Sequence, residues 1–235
     1  MTFATPGSGR LGPMTSHPSP RYSVALFDLD GTLCDPGTGI ADAVRHGLAQ
    51  VGIREDDDAV LRGFVGPPLE HSLRDRYQLS PAQVARAVAA YREHYVAAGI
   101  FQYRPYPGIP EVLGRLAEQG VRLGVVTAKA QAIAEQALRG TGLIEQFEHV
   151  AGRDPDVVVV KAVTLRDALA AMGCAPREAV MIGDREHDVH AARDNHIDSI
   201  GVLYGYGSRD ELVGAGATHL AESPESVEAL VLGRP

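Results

Sequence analysis

The feature that most constrains the fold of this 235-residue chain is a repeated alternation of short apolar runs with helical stretches. Apolar runs of this kind are typical of buried strands, and they occur at residues 23–27, 121–126, 178–182 and 199–203, with a weaker run at 149–151. Apolar residues recur at helical spacing at residues 109–119, 131–138, 163–172 and 187–194. Because strands that alternate with helices form parallel sheets covered on both faces, we predict an α/β fold with a doubly wound, Rossmann-like parallel sheet.

The segment after the first predicted strand interrupts this alternation, because it contains helical patterns and no convincing strand. Its clearest helices are predicted at residues 40–51, 67–77 and 81–98. Ser80 and Pro81 support the last of these, since serine caps a helix and proline suits its first position. We therefore predict an all-helical insert at residues 35–104, within a core made of residues 22–34 and 105–235.

The composition argues against some kinds of partner and indicates where the protein is located. Residues 1–21 are rich in Gly, Ser, Thr and Pro and are predicted to be a disordered leader. No apolar run reaches the roughly 18 to 20 residues of a membrane span, so no membrane partner is expected. The net charge of −8, without a basic run, argues against a nucleic acid polymer as partner. Two isolated cysteines, Cys34 and Cys174, fit a cytoplasmic location.

Two carboxylates follow the first predicted strand, in the sequence Asp28-Leu29-Asp30-Gly31-Thr32. Side chains two residues apart leave an extended segment in the same direction, so Asp28 and Asp30 offer one carboxylate for attack and another for proton transfer. A solvated acidic loop is the alternative. It is disfavoured because two buried acids close together are costly without a cation.

A second acidic motif, Gly183-Asp184-Arg185-Glu186-His187-Asp188, follows the apolar run at 178–182. Asp184 and Asp188 are four residues apart, so both can face the ends of the strands and share a cation with the first pair of acids. Magnesium prefers oxygen ligands and fits such a site. Capping of the following helix by Asp184 is the alternative.

Thr127 and Lys161 give two weaker signals. A hydroxyl at Thr127, just after the second strand, can bond a phosphate oxygen, although threonine is also a common strand residue. Lys161 begins a helix, where its charge opposes the helix dipole, and this indicates a nearby anion. An exposed surface lysine is the alternative at this position.

Taken together, these strand-end motifs resemble the haloacid dehalogenase-like hydrolase superfamily over about residues 23–232. The resemblance implies that Asp28 is a nucleophile that forms an aspartyl-phosphate, and that Asp30 is the general acid and base. It implies that Thr127 and Lys161 hold the transferring phosphoryl group. It also implies a Mg²⁺ ion, with ligands from Asp28, the Asp30 carbonyl, Asp184 and, directly or through water, Asp188.

The presence of Asp30 narrows the reaction that the resemblance implies. True haloacid dehalogenases lack this acid and the ATPases of the family replace it with threonine, so we expect a phosphatase acting on a small phosphorylated metabolite. The insert at 35–104 is similar to the family's small cap domain, which closes over the substrate. Ala130 and Ala162 depart from the family pattern, because many relatives have proline after the lysine.

Softer motifs are similar to the branch of 5'-nucleotidase-like and phosphoglycolate phosphatase-like enzymes. They are Gly66-Pro67-Pro68-Leu69, Tyr106-Pro107-Gly108 and Tyr204-Gly205-Tyr206-Gly207. We therefore expect a nucleoside 5'-monophosphate or phosphoglycolate as substrate, with the two equally favoured.

The candidate substrate residues in the cap are Gly66, His71 and Arg74. A helix start at the two prolines and an exposed helix arginine are alternative explanations. A phosphate mutase or another phosphotransferase of the family, and a non-catalytic regulatory scaffold, stay open as functions. The chain is expected to be a monomer or a homodimer.

Overall fold

A computed structural model describes residues 19–154 and 160–234 of the chain. The leader predicted at residues 1–21 therefore lies almost entirely outside the described residues. Within the two described ranges, no helix is long and apolar enough to cross a membrane.

The described residues form strands and helices in the predicted alternation. The strands are β1 (Val24–Phe27), β2 (Cys34–Asp35), β3 (Arg104–Pro105), β4 (Arg122–Ala130), β5 (His149–Arg153), β6 (Ala179–Gly183), β7 (Asp198–Val202) and β8 (His219–Ala221). The helices are α1 (Gly39–Ala49), α2 (Asp58–Arg62), α3 (Leu69–Tyr77), α4 (Pro81–Ala97), α5 (Ile109–Glu118), α6 (Gln131–Gly140), α7 (Lys161–Met172), α8 (Glu186–Asp194), α9 (Arg209–Ala215) and α10 (Pro224–Leu232).

Six strands form one parallel sheet in the order β5-β4-β1-β6-β7-β8, which confirms the predicted parallel architecture. β1 lies at the centre, between β4 and β6. β4 extends beyond the predicted run at 121–126 and ends at Ala130, with a register shift after Val126. As a result, Thr127 and Lys129 lie on the strand itself, at its carboxyl end.

Both faces of the sheet are covered, because alternate residues of β1 enter two separate hydrophobic clusters. Val24 and Leu26 pack with buried residues of α7 and α8. Ala25 and Phe27 pack in the other cluster, with buried residues of α5, α6 and α10. Every one of these four β1 side chains is buried. The doubly wound arrangement predicted from the sequence is therefore confirmed.

The helices α1 to α4 lie between β2 and β3, which pair as a short antiparallel ribbon. The predicted ends of the insert fall within this ribbon. Ser80 caps α4 as predicted: its hydroxyl accepts from Gln83 N at 3.4 Å. Helix α3 begins at Leu69, two residues after the predicted start, because a residue that precedes proline disfavours the helical conformation.

The packing of α1 on α4 can be tested with two glycine substitutions. A Cβ at Gly47 would lie 2.5 Å from the Ala87 carbonyl oxygen, whereas one at Gly114 in α5 would meet nothing within 4 Å. We expect Gly47→Ala to lower the free energy of unfolding by about 1–3 kcal/mol, because α1 must move away from α4. Gly114→Ala should raise it by up to about 1 kcal/mol, because alanine has the higher helix propensity. Urea denaturation measures both, and a stabilising Gly47→Ala would contradict the described packing.

Candidate active site

The predicted catalytic and metal-binding residues lie at the carboxyl edge of the sheet. Asp28 and Asp30 follow β1, Thr127 lies near the end of β4, and Asp184 follows β6. Lys161 is the first residue of α7, and Asp188 lies in the first turn of α8. Parallel strands with right-handed crossovers place all these positions on one edge, so residues far apart in sequence meet there.

Lys161 lies between two carboxylates. Its ammonium is 2.9 Å from Asp28 Oδ1 and also pairs with Asp188 Oδ1. The side chain of Lys161 is only 8% exposed, so the alternative of a surface lysine is wrong. Asp28 itself is almost fully buried. The helix start at Lys161 therefore places a positive charge directly beside the predicted nucleophile.

Three buried carboxylates, Asp28, Asp184 and Asp188, offer oxygen atoms that all lie within 4.8 Å of one another. One buried oxygen of Asp28 and one of Asp188 (Oδ1 in each) make no hydrogen bond and have only the ion pair to Lys161. Burial raises the pKa of Asp28 to about 6, although Lys161 opposes the shift. Burial, followed by the charges of Asp188 and Asp28, raises the pKa of Asp184 to about 8.

When all are ionised, these three carboxylates, which we call the acidic trio, carry two more negative charges than the Lys161 ammonium balances. A divalent cation would restore neutrality and would supply a partner to the two oxygens that lack hydrogen bonds. All the donors are carboxylate oxygens, the type that Mg²⁺ prefers. The residues of the acidic trio therefore fit a magnesium site.

Asp30 has different partners from Asp28. Its Oδ2 lies 2.9 Å from the ammonium of Lys129, and its Oδ1 accepts a hydrogen bond from the Tyr103 hydroxyl. The side chain of Asp30 is therefore not part of the acidic trio, and the role of its carbonyl as a metal ligand stays a prediction.

Lys129 and Tyr103 are not among the predicted site residues. The composition could have pointed to Lys129, because lysine is rare in this chain. The whole sequence has two lysines and twenty arginines. Both lysines are buried, and each pairs with one of the two acids that follow β1.

A loop between β7 and α9 holds the carboxylate of Asp184. Tyr206 N donates to Asp184 Oδ2 at 2.8 Å, and Thr32 Oγ1 lies 3.5 Å from Oδ1. Gly205 approaches so closely that a Cβ there would lie 2.4 Å from Asp184 Cβ. Because any larger residue would push on Asp184, the loop can follow this path only with glycine.

Asp184 does not cap the helix that follows it, so that alternative for its role is wrong. The residue at the N-cap of α8 is Arg185, and its backbone N–H donates to Asp188 Oδ2 at 3.1 Å. Asp188 therefore stabilises the start of α8 with one oxygen and faces Lys161 with the other.

The candidate substrate residues of the insert lie in two different places. Gly66 follows Val65, whose carbonyl accepts a hydrogen bond from Arg185 Nη1 at 2.7 Å, so this loop contacts the second acidic motif. His71 and Arg74 are exposed on α3, and Arg74 pairs with the neighbouring Asp75 at 2.7 Å. The role of all three in substrate binding stays a prediction.

Several known proteins are similar to this chain over most of its length. The family model described as haloacid dehalogenase-like hydrolase matches residues 25–202. A 5'-nucleotidase of Pseudomonas aeruginosa is 40% identical over 85% of this chain and 90% of its own length. A phosphoglycolate phosphatase of Agrobacterium fabrum is 31% identical over 82% of this chain and 84% of its own length.

Two further proteins add to this comparison. The tyrosine-protein kinase PtkA of Mycobacterium tuberculosis is 36% identical over 92% of this chain and 75% of its own length. The crystal structure of a predicted phosphatase from Clostridium acetobutylicum superposes with a TM-score of 0.87 at 36% identity. That superposition covers 90% of this chain and 99% of the other.

The contact between Asp184 and the loop that contains Gly205 can be tested by measuring Mg²⁺ binding. We expect Gly205→Ala to weaken Mg²⁺ binding by about 10- to 100-fold, the range typical of groups that orient a metal ligand, because the added methyl displaces Asp184. Isothermal titration calorimetry measures the affinity. Gly214→Ala is the control, since a Cβ there would meet nothing within 4 Å. Equal affinities for both variants would show that the loop does not hold Asp184.

Proposed function

The chain belongs to the haloacid dehalogenase-like hydrolase family and is a phosphatase of that family, and we propose that it hydrolyses a small phosphate monoester through a phosphorylated Asp28. The observation that carries the proposal is that the two acids that follow β1 have different partners. Asp28 lies in the acidic trio beside Lys161, whereas Asp30 lies beside Lys129 and Tyr103. Two neighbouring carboxylates in different surroundings can take two different chemical roles.

In the first step, an oxygen of Asp28 forms a bond to phosphorus, and the bond from phosphorus to the leaving oxygen breaks. Asp30, in its protonated form, donates its proton to that oxygen. In the second step, Asp30 takes a proton from water as the water oxygen bonds to phosphorus. The bond between phosphorus and Asp28 then breaks, which releases phosphate and restores both acids.

Other residues of the site position the phosphoryl group and balance its charge. Thr127 and Lys161 offer a hydroxyl and an ammonium to its oxygens, the kind of positioning on which phosphoryl transfer depends. Mg²⁺, held by Asp28, Asp184, Asp188 and the Asp30 carbonyl, would supply further neutralisation of the phosphoryl charge when bound.

The burial of the site supports a role for the helical insert as a cap. Asp28 is 4% exposed and Asp30 is 8% exposed, so little of either side chain is open to solvent with the insert in this position. Residues of the insert contact the core on two sides, through the Val65 carbonyl and through Tyr95, whose hydroxyl accepts from Lys129 at 3.2 Å. We propose that residues 35–104 open to admit substrate and close to exclude water.

The proposed substrate class follows from the relatives. The Pseudomonas relative is named a 5'-nucleotidase and the Agrobacterium relative a phosphoglycolate phosphatase, so a nucleoside 5'-monophosphate or phosphoglycolate is proposed. Gly66, His71 and Arg74 would contact the leaving group from the cap. Cytoplasmic location stays a prediction from the two cysteines.

A second candidate function is transfer of the phosphoryl group to an acceptor other than water. The similarity to a protein named tyrosine-protein kinase favours it, since the same phosphorylated Asp28 would serve both reactions. The two functions differ in what accepts the phosphoryl group in the second step.

The nucleophile is tested by Asp28→Asn, which preserves the shape of the side chain and removes its charge. We expect phosphate release to fall by at least about 10³-fold, because loss of a nucleophile removes the covalent pathway. Phosphate release from nucleoside monophosphates, phosphoglycolate and sugar phosphates is measured with Mg²⁺ and with EDTA. Asp56→Asn, at an exposed ion pair with Arg54, is the control. Undiminished hydrolysis in Asp28→Asn would exclude the proposed mechanism.

The acceptor is tested by supplying a tyrosine-containing peptide together with each phosphate donor. We expect free phosphate as the main product from a monoester, since water is the proposed acceptor. The products are separated and counted with a ³²P-labelled donor, and Asp28→Asn gives the background. Label that accumulates on the peptide and not in free phosphate would favour the second candidate function.

A further inference from the structure

Lys129 at the end of β4 is enclosed by one carboxylate and two aromatic rings. Its ammonium lies 2.9 Å from Asp30 Oδ2 and donates to the Tyr95 hydroxyl at 3.2 Å. It also lies 4.8 Å from the centre of the Tyr95 ring and 5.5 Å from that of Tyr103, distances at which a cation is attracted to an aromatic face. The side chain is 9% exposed, so this charge is removed from water.

The use of lysine at this position is unusual for the chain. Twenty of its 22 basic residues are arginine, and the described surface ion pairs use arginine throughout. A buried charge is costly unless its partners compensate it. The compact ammonium fits between the two rings and one carboxylate, a geometry that the wider, planar guanidinium does not match. These observations indicate a specific role for Lys129 beyond surface charge.

The two partners of Asp30 differ in what they can do with a proton. Lys129 has only donors, so the oxygen that it contacts, Oδ2, can serve it only as an acceptor. The Tyr103 hydroxyl contacts Oδ1 and can donate to an ionised carboxylate or accept from a protonated one. The two contacts therefore hold the carboxyl group in one orientation whether or not it carries a proton.

We propose that Lys129 is a positioning residue, which together with Tyr103 holds the carboxyl group of Asp30 in the orientation that proton transfer needs. This inference rests on the proposed roles of Asp28 and Asp30. Tyr95 belongs to α4 and Tyr103 directly precedes β3, so the insert supplies the partners that hold Lys129. The positioning is complete only when the insert lies against the core.

The test separates the two steps of the reaction with 4-nitrophenyl phosphate, whose leaving group departs without needing a proton. In Lys129→Met, phosphorylation of Asp28 should continue, whereas hydrolysis of the phosphorylated enzyme, which needs Asp30 as a base, should slow by about 100-fold. Stopped-flow absorbance should therefore show a rapid burst of about one 4-nitrophenolate per active site, followed by slow turnover. With an alkyl phosphate, which needs the proton in the first step, a rapid-quench measurement should detect no build-up of phosphorylated enzyme.

Two further variants separate positioning from general damage. Lys129→Arg keeps the charge but not the compact shape of the ammonium, so its turnover should lie between those of Lys129→Met and the unmodified enzyme. Tyr103→Phe removes only the hydroxyl that faces Asp30 and should show the same burst with a smaller loss of turnover, and it decides the question if Lys129→Met does not fold. Tyr77→Phe is the matched control, because its hydroxyl donates to Glu55 Oε2 at 2.8 Å, within the insert.

The outcomes are distinct. Burst and turnover that fall by the same factor in Lys129→Met and in Tyr103→Phe would overturn the proposal, and so would turnover within about twofold of the unmodified enzyme. A burst in Asp28→Asn would instead overturn the proposed function itself, whatever Lys129 does. A burst with slow turnover, absent in Asp28→Asn and unchanged in Tyr77→Phe, would support the positioning role.

Discussion

The repulsion among four carboxylates buried at the carboxyl edge of the sheet is the constraint on which the rest of the site depends. Asp28, Asp30, Asp184 and Asp188 are each less than a tenth exposed. Charges of one sign can be buried together only when cations and hydrogen-bond donors compensate them. The two lysines of the chain meet this need in part, and the charge that remains on the acidic trio matches a divalent ion.

The strands, helices and loops around the site supply those cations and hydrogen-bond donors. β4 continues past its buried part far enough to bring Lys129 to Asp30, and α7 begins at the residue that reaches both Asp28 and Asp188. The loop at Gly205 brings a backbone N–H to Asp184. Each of these features starts from the edge of a rigid sheet, which holds catalytic groups more precisely than flexible loops do.

The parts of the fold and site that the sequence predicted share one property: each has a local pattern. Apolar runs marked five of the six sheet strands, and the acids that follow two of them had to meet because the strands are parallel. β8 was missed because it is only three residues long, with two of its side chains half-buried.

Contacts between residues that are far apart in the sequence have no comparable local pattern. Tyr103 is 73 residues from Asp30 in sequence and reaches it through the pairing of β2 with β3. The contact of Arg185 with the Val65 carbonyl spans 120 residues and has no local pattern either. A role for His71 and Arg74 in substrate binding remains a prediction, because the structure places them on the surface of α3 with no contact that tests it.

The central claim is that Asp28 carries the phosphoryl group, and trapping that intermediate tests it most directly. Enzyme turning over substrate is quenched with sodium borohydride, which reduces an aspartyl-phosphate to homoserine, and the tryptic peptide of residues 22–45 is sequenced by mass spectrometry. We expect homoserine at position 28, dependent on substrate and absent when EDTA is present. Homoserine at another aspartate, or none under conditions of rapid turnover, would contradict it.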